Sequence, residues 1–248
     1  MTVDDLGHVV VVTRPVRRIV SLVPSLTEAI AATGPAALVG ATDWCTHPVD
    51  LDVTRVRGTK NPDRQAIIDL APDLVIANRE ENRELDVTRL RAAGLTVWVT
   101  VIETVDQAFA SMRRMFTDAL GWDVPLWLVE AERVWAEPSV TDGRRVAIPI
   151  WRDPWMVVGS QTFTGDVVER LGLVNAFGDS PDRYPHVELD DITADLVLLP
   201  DEPYVFTTVD GPEAFTDTPT VLVPGRPLTW YGPSLVTARR DLEMLLRQ

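Results

Sequence analysis

Residues 18–34 read RIVSLVPSLTEAIAATG, and this stretch decides the fold. Its first six residues form a short apolar run that ends at Pro24-Ser25, after which Leu26, Ile30 and Ala31 recur at helical spacing. A run of this length is typical of a buried strand, and the change of period after the proline predicts a helix beside it. The stretch therefore predicts a strand, a turn and a helix.

The same alternation continues along the chain. Short apolar runs predict further strands at residues 37–42, 73–77, 95–99, 145–150, 195–199 and 220–223. Helical patterns separate them at residues 62–70, 85–93, 164–171 and 234–248. Strands that alternate with helices form mainly parallel sheets with helices on their faces, so the fold class predicted is α/β.

The middle of the chain, from residue 104 to about residue 138, is wholly helical in pattern, with a break at residues 121–123. The segments on either side of it resemble each other, because residues 66–75 and 189–197 each predict a short helix that leads into a buried strand. We therefore predict two similar α/β lobes, residues 1–103 and 139–248, joined by a helical spacer over residues 104–138.

Composition limits the classes of function. Hydrophobic residues make up 46% and charged residues 24% of the 248, as in ordinary globular proteins. The formal net charge is −14, which would repel a phosphate backbone and an anionic membrane. We therefore expect no nucleic-acid partner and no insertion into a membrane.

The single cysteine, Cys45, excludes an internal disulfide and any multi-cysteine metal site built by this chain alone. The first residues, MTVDD, are acidic where an export signal would be basic, and no apolar stretch approaches the length of a membrane helix. As written, the sequence predicts a cytoplasmic protein, although the true start codon could lie upstream.

In open parallel sheets, ligands bind beyond the carboxyl ends of the strands. Aromatic residues are frequent in the loops predicted at those ends: Trp44, Trp151, Trp155, Tyr184, Trp230 and Tyr231. Rings in such loops suit a large, flat or amphipathic ligand, because they bury much area at little entropic cost. The alternative is that they cap the ends of the sheets.

Polar residues at the same ends are candidates for the polar edges of a ligand. They comprise Pro24-Ser25, Lys60-Asn61 and Glu80-Glu81-Asn82. The acidic stretch can equally be a solvated loop. Cys45 and His47 offer a soft thiolate and an imidazole two residues apart, which could ligate a transition metal. A lone cysteine is more often a small buried apolar side chain, so this assignment stays open.

Several ordered motifs resemble the class III solute-binding proteins of ABC importers, in particular their cobalamin-binding and helical-backbone metal receptor branch. The motifs occupy residues 18–28, 58–62, 72–78, 79–82, 150–156, 182–187 and 229–232. The resemblance spans about residues 17–235. It implies two Rossmann-like lobes with mainly parallel sheets, joined by a long bridging helix.

The resemblance also implies a site and partners. The ligand would be a metal chelate, such as cobalamin, haem or a ferric siderophore, held in the inter-lobe cleft against Trp44, Lys60, Trp151, Trp155 and Tyr184. No intrinsic cofactor is expected, and the protein would be a monomer. One acidic residue on each lobe, by position Asp63 and Asp190, would dock onto arginines of an importer permease. Acids at a helix start can instead serve as partners of the helix dipole.

Enzymatic alternatives lack local signatures. The sequence has no GxGxxG motif after a strand, no phosphate-binding GxxxxGK loop and no GxSxG elbow. We therefore expect a binding protein and not an enzyme. Three alternatives remain: a cytoplasmic cofactor carrier or sensor, an interaction module without a ligand, and a tetrapyrrole chelatase in which His47, Glu80 and Glu81 accept protons.

Overall fold

The chain forms two compact α/β units in the computed structural model, which describes residues 2–137 and 141–247. Unit 1 comprises Met1–Ile102, Gln107–Val129 and Tyr231–Pro233, and unit 2 comprises Glu103–Asp106, Glu130–Trp230 and Ser234–Gln248. The prediction of an α/β chain with mainly parallel sheets is confirmed. The proposed division of the chain after residues 103 and 138 stays a prediction, and residues 138 and 139 lie outside the described residues.

Unit 1 contains nine short strands and three α-helices before its helical segment. The strands are β1 (Thr2–Val3), β2 (Val9–Val10), β3 (Ile19–Ser21), β4 (Leu38–Ala41), β5 (Thr54–Arg55), β6 (Arg57–Gly58), β7 (Asn61–Pro62), β8 (Leu74–Asn78) and β9 (Val97–Thr100). The helices are α1 (Pro24–Ala31), α2 (Arg64–Asp69) and α3 (Glu84–Ala92). The 3-10 turn Pro35–Ala37 precedes β4.

Five of these strands form one parallel sheet in the order β5-β4-β3-β8-β9. Every residue of β3, β8 and β9 is buried, which explains why their sequences are almost continuously apolar. Alternate residues such as Val20, Val75 and Val97 pack with Ile67 of α2 and Leu90 of α3 in one core cluster. The strand, turn and helix predicted from residues 18–34 thus lie at the centre of unit 1.

The helical segment begins with α4 (Val105–Arg114), continues as a π-helical turn (Met115–Leu120) and resumes in α5 (Leu126–Ala136). The predicted break falls at Gly121, which ends the π-helical turn with φ of 72°. Glycine reaches this left-handed conformation without the steric cost that a side chain would add.

Unit 2 contains a four-stranded parallel sheet and a separate two-stranded hairpin. The strands are β10 (Arg145–Ala147), β11 (Pro149–Trp151), β12 (Met156–Val157), β13 (Val174–Asn175), β14 (Leu196–Pro200) and β15 (Thr220–Val223). The sheet has the order β13-β10-β14-β15, and β11 pairs with β12 in antiparallel fashion. The helices are α6 (Phe163–Arg170), α7 (Gly225–Thr229) and α8 (Leu235–Leu246). Gln248, the predicted end of the last helix, lies outside the described residues.

Two predicted elements of unit 2 were wrong in detail. The strand predicted at residues 145–150 is divided, because the parallel sheet keeps only β10 and Pro149 begins the antiparallel hairpin. Proline has no N–H to donate to a central ladder, so the chain leaves the sheet there. The helix predicted before β14 is only the 3-10 turn Leu189–Asp191, because aspartate and threonine compete with helical hydrogen bonds.

Among the residues that the structure describes, no helix combines the length and the apolar character that a membrane span requires.

The N-terminal hairpin of unit 1 is fixed by a buried carboxylate. Asp4 accepts hydrogen bonds from Leu6 N and His8 N at 3.0 and 2.9 Å, and its other oxygen lies 2.6 Å from Arg91 Nη2. The Asp4 side chain is fully buried, so these partners replace its hydration. Asp4 therefore ties β1 and β2 to helix α3.

Asp4→Ala should lower the free energy of unfolding by about 2 kcal/mol, because it removes the acceptor of two backbone N–H groups and the carboxylate partner of Arg91. Urea unfolding followed by circular dichroism measures this change. Asp50→Ala, at an exposed loop position, is the matched control and should leave the midpoint unchanged. Equal midpoints for the two variants would show that the hairpin contributes nothing to stability.

Candidate functional site

In unit 1, the loops at the carboxyl end of the sheet are joined by the side chain of Asn82. Its amide nitrogen donates to Leu22 O at 3.2 Å and to Thr59 O at 3.0 Å, and its oxygen accepts from Asn78 N at 2.9 Å. The loops after β3 and β8 and the β6–β7 hairpin therefore share one buried amide. Asn82 was predicted as a ligand-binding residue, and in the structure its amide holds the loops that carry other candidates.

The acidic loop that follows β8 is ordered by Asn78. Its side-chain oxygen accepts from Glu80 N at 2.8 Å and from Glu81 N at 3.2 Å, and its amide nitrogen donates to Thr100 Oγ1 at 3.1 Å. The Lys60 ammonium donates to Glu80 O from the tip of the hairpin. The loop is thus an asparagine-capped turn and not a freely solvated segment. Glu80 and Glu81 are half-buried beside Lys60.

Trp44 and Asn61 lie together over Gly58 of the hairpin. A Cβ at Gly58 would fall 2.5 Å from Asn61 Oδ1 and 3.4 Å from Trp44 Nε1, so a larger residue there would require the Asn61 side chain to move. The Trp44 side chain is 65% exposed although it is the largest apolar group in its loop. Such an exposed ring, fixed beside polar groups, is a suitable surface for a ligand.

Pro24, Ser25 and Tyr231 lie at the start of helix α1. Pro24 occupies the first helical turn and Ser25 is buried. Residues 231–233 cross this point, where a Cβ at Gly232 would come within 3.1 Å of Ser25 O. Tyr231 is 7% exposed, so its side chain is buried.

Cys45 lies inside unit 1. It is fully buried, and the hydroxyl oxygens of Thr27 and Thr42 lie 3.0 and 3.1 Å from its sulfur. Burial raises the pKa of the thiol, against hydrogen bonds from Thr27 and Thr42 that lower it. The neighbouring His47 is half-buried, with Nδ1 3.1 Å from Thr46 Oγ1. This environment favours a neutral thiol that packs and hydrogen-bonds over a thiolate that ligates metal.

Because the Cys45 thiol is buried and burial raises its pKa, native protein should release no thionitrobenzoate from Ellman's reagent at about pH 8. Unfolding in guanidinium should then release one equivalent. Cys45→Ser should release none in either state. Rapid reaction of the native protein would contradict the assignment of a structural thiol. Cys45 would then again be a candidate metal ligand.

In unit 2, the β11–β12 hairpin carries two tryptophans with different environments. Trp155 is 8% exposed and stacks on Phe206 with ring centroids 6.1 Å apart and an interplanar angle of 4°. Its other neighbours are the ring of Phe215, 5.3 Å away, and the guanidinium of Arg152, 5.2 Å from the ring centroid. Trp155 therefore belongs to the core of unit 2 and anchors the hairpin to that core.

Trp151 has the opposite character. It is 46% exposed, and its ring meets Tyr204 edge to face with centroids 5.6 Å apart. The Tyr204 hydroxyl donates to Asp210 Oδ2 at 2.7 Å, and this hydrogen bond raises the pKa of the phenol. Arg152 contacts Asp210 and lies 2.6 Å from Glu213. The exposed Trp151 and the half-buried Tyr204 thus lie beside a network of charged groups.

Tyr204, Arg152 and Asp210 were not among the candidate residues drawn from the sequence. Tyr204 lies in the loop that follows strand β14, as the position rule for parallel sheets requires of a binding residue. The sequence position of Tyr204 could therefore have identified it as a candidate binding residue. Asp210 gave no comparable signal, because it lies ten residues beyond the end of β14 and reaches the site only through the fold.

Tyr184 lies in a loop that is fixed along strand β12. Val157 N donates to Pro185 O at 3.1 Å, Gly159 N donates to Arg183 O at 2.8 Å, and Val187 N donates to Trp155 O at 3.1 Å. The Arg183 guanidinium also forms an ion pair with Glu103. The half-buried Tyr184 is therefore held beside the hairpin that carries Trp151 and Trp155.

Trp230 is buried near a carboxyl group in unit 2. Glu202 accepts from Thr229 Oγ1 at 2.9 Å, and Asp201 accepts from Gly225 N at 2.6 Å. Burial raises the pKa of Glu202, against hydrogen bonds from Thr229 and Trp230 that lower it. The native state therefore binds the Glu202 proton more tightly than the unfolded chain does.

Since a raised native pKa contributes stability only at low pH, Glu202→Gln should be more stable than the parent at about pH 7 and should lose that advantage at about pH 4. Urea midpoints at the two pH values test the sign. The exposed Glu188→Gln should show no pH-dependent difference from the parent. A Glu202→Gln variant that is less stable at neutral pH would indicate that the charged carboxylate is stabilising there.

The two predicted docking acids differ in their surroundings. Asp63 caps helix α2, where its side chain accepts from Ala66 N at 3.1 Å, and its second oxygen lies 3.6 Å from Arg57 Nε. Asp190 is exposed on the 3-10 turn Leu189–Asp191. Their role in docking stays a prediction.

The described residues, 2–137 and 141–247, contain no group of three or more histidine, cysteine, aspartate or glutamate side chains placed to hold a metal ion. Among the candidate residues, Lys60 contacts Glu80 within unit 1, and Trp151 and Trp155 lie on one hairpin within unit 2. The prediction that a ligand lies in a cleft between the lobes stays a prediction.

The chain shares its fold with the class III solute-binding proteins, which confirms the resemblance drawn from the sequence motifs. A periplasmic haem-binding protein from Roseiflexus sp. RS-1, RhuT, aligns with a TM-score of 0.79 at 22% identity, over 93% of this chain and 97% of that one. The periplasmic vitamin B12 binding protein BtuF of Vibrio cholerae aligns with a TM-score of 0.73 at 19% identity, over 94% and 97%.

In sequence, the chain is 25% identical to a vitamin B12-binding protein of Pectobacterium carotovorum subsp. carotovorum. The similarity covers 71% of this chain and 67% of that protein. No family model matches the sequence.

Proposed function

We propose that this chain is a binding protein for a metal chelate and that a corrinoid is the leading ligand. The sequence similarity to vitamin B12-binding proteins supports a corrinoid, and the shared fold of B12- and haem-binding proteins supports a metal macrocycle in general. Haem and a ferric siderophore are the other ligands that the sequence allows.

The observation that carries the proposal is the pair of exposed indoles at the carboxyl ends of the two sheets. Trp44 and Trp151 keep 65% and 46% of their surface exposed, although each is fixed by neighbouring groups. Exposed, ordered aromatic rings are typical of binding surfaces, because they gain apolar contact without losing much conformational entropy. Asn82 and Arg152 hold these surfaces in place before a ligand arrives.

Titration with dicyanocobinamide, hydroxocobalamin and haemin tests the proposal. We expect one equivalent of a corrinoid to bind, to quench tryptophan fluorescence and to leave the protein chemically unchanged on release. Haemin binding without corrinoid binding would show that the ligand is haem, and the chain would still be a binding protein for a metal chelate. Binding of none of the three, nor of a ferric siderophore, would overturn the proposal.

Trp151→Ala should weaken chelate binding by about tenfold or more, since truncation of a central aromatic contact costs about 1–3 kcal/mol. Val209→Ala is the matched control, because Val209 is also an exposed apolar residue of unit 2. Its affinity should equal that of the parent. Equal losses in the two variants would mean that Trp151 has no specific contact with the ligand.

We infer further that the chain binds and does not transform its ligand. The relatives and the structural neighbours are named as binding proteins, which supports this inference. The chelatase alternative would require the metal to enter or leave the macrocycle. The absorption spectrum of the ligand before binding and after release distinguishes the two, because metal insertion changes it.

The compartment and the partners belong to the same proposal. The structural neighbours are described as periplasmic, whereas the sequence as written predicts a cytoplasmic carrier or sensor. An ABC importer permease is the proposed partner, and a monomer is the proposed form. Fractionation of the native host with an antibody to the protein, followed by crosslinking, tests both the compartment and the permease contact.

A further inference from the structure

An arginine-lined groove of about 390 Å³ lies on unit 1, beside the base of the β6–β7 hairpin and helices α2 and α3. Its charged lining consists of Arg57, Arg64, Arg89 and Asp63. Three guanidinium charges against one carboxylate give the groove a formal charge of +2, whereas the whole chain carries −14. The groove is therefore a local exception to the charge of the protein.

The arginines of this groove are poorly neutralised. Arg57 lies 3.6 Å from Asp63, but its side chain is 71% exposed, so this pair is weak. Within residues 2–137 and 141–247, no carboxylate forms an ion pair with Arg64 or Arg89. Other arginines have a close acidic partner, such as Arg144 with Asp142 at 2.6 Å, or donate to backbone carbonyls, as Arg18 does to Leu70 O at 2.6 Å. Three guanidinium groups that line one groove with a single carboxylate leave a positive potential there, which attracts an anion.

The chemistry of the lining selects the ligand. Guanidinium groups form bidentate, charge-assisted hydrogen bonds to phosphate oxygens, and the volume falls in the range of about 300–1,000 Å³ for small-molecule sites. Asp63 cancels one positive charge, so a monovalent anion would gain little. We propose that the groove binds a phosphate group with at least two negative charges, such as a diphosphate or a phosphate monoester. This site is separate from the chelate-binding function.

Calorimetric titration of the full chain with pyrophosphate tests the proposal. Arg64→Gln and Arg89→Gln should each weaken binding by about tenfold, the equivalent of about 1.4 kcal/mol for one charge-assisted contact. Asp63→Asn should strengthen binding several-fold, because it removes repulsion while asparagine still caps the helix. The control is Arg240→Gln, an exposed arginine of unit 2 whose loss should leave the affinity unchanged.

A second measurement identifies the source of the phosphate. Flotation with phosphatidylcholine vesicles, with and without phosphatidic acid, reports a lipid phosphate monoester, whereas calorimetry reports a dissolved one. Binding in either assay that Arg64→Gln and Arg89→Gln weaken supports the proposal. Absence of binding in both assays, equal affinity for acetate, or unchanged affinity in both arginine variants would overturn it.

Discussion

The loop cluster of unit 1 depends on one buried amide. Asn82 donates to the carbonyls of Leu22 and Thr59 and accepts from Asn78 N. These backbone groups lie at the ends of two strands and in a hairpin, where the ladder of the sheet no longer satisfies them. A buried side-chain amide supplies both a donor and an acceptor at that point. Without it, the loop after β3, the end of β8 and the hairpin that carries Lys60 would lose their shared partner.

Unit 2 orders its loops with aromatic packing in addition to hydrogen bonds. Trp155, Phe206 and Phe215 form a compact aromatic cluster under the β11–β12 hairpin. The cluster belongs to the buried core, so any displacement of the hairpin would expose apolar surface. The Tyr204 ring packs on Phe206 of this cluster with centroids 4.7 Å apart, and Trp151 packs on Tyr204. The cluster therefore fixes the position of both rings. The two units share an arrangement of strands but differ in the forces that order their loops.

Much of this could be predicted from the sequence, because the signals for it are local. The apolar runs of β3, β8 and β15 and the break at Gly121 depend on short-range pattern, and the structure agrees with them. The same reasoning drew attention to Trp44, Trp151 and Tyr184, whose role in binding stays a prediction. These rules need only the order of the elements and not their packing.

What the sequence could not predict is which candidate is exposed. Trp151 and Trp155 lie four residues apart on one hairpin and carry the same side chain, yet their exposed fractions are 46% and 8%. The difference arises from Phe206 and Phe215, which lie far along the chain and cover only one of the rings. Similarly, no local pattern distinguishes the bridging amide of Asn82 from an ordinary loop asparagine, because its partners come from three segments.

The surroundings of Asp63 bear on the docking role that its position suggested. Its ion pair with the exposed Arg57 is weak, about 0–1 kcal/mol, and would not by itself prevent a new partner from replacing Arg57. Arg64 and Arg89 line the same groove, however, and an incoming arginine would meet their charges at close range. A permease arginine would thus gain one attraction and at least two repulsions at this point. Total charge is a poor guide here, because an acidic chain presents a positive surface around one of its acids.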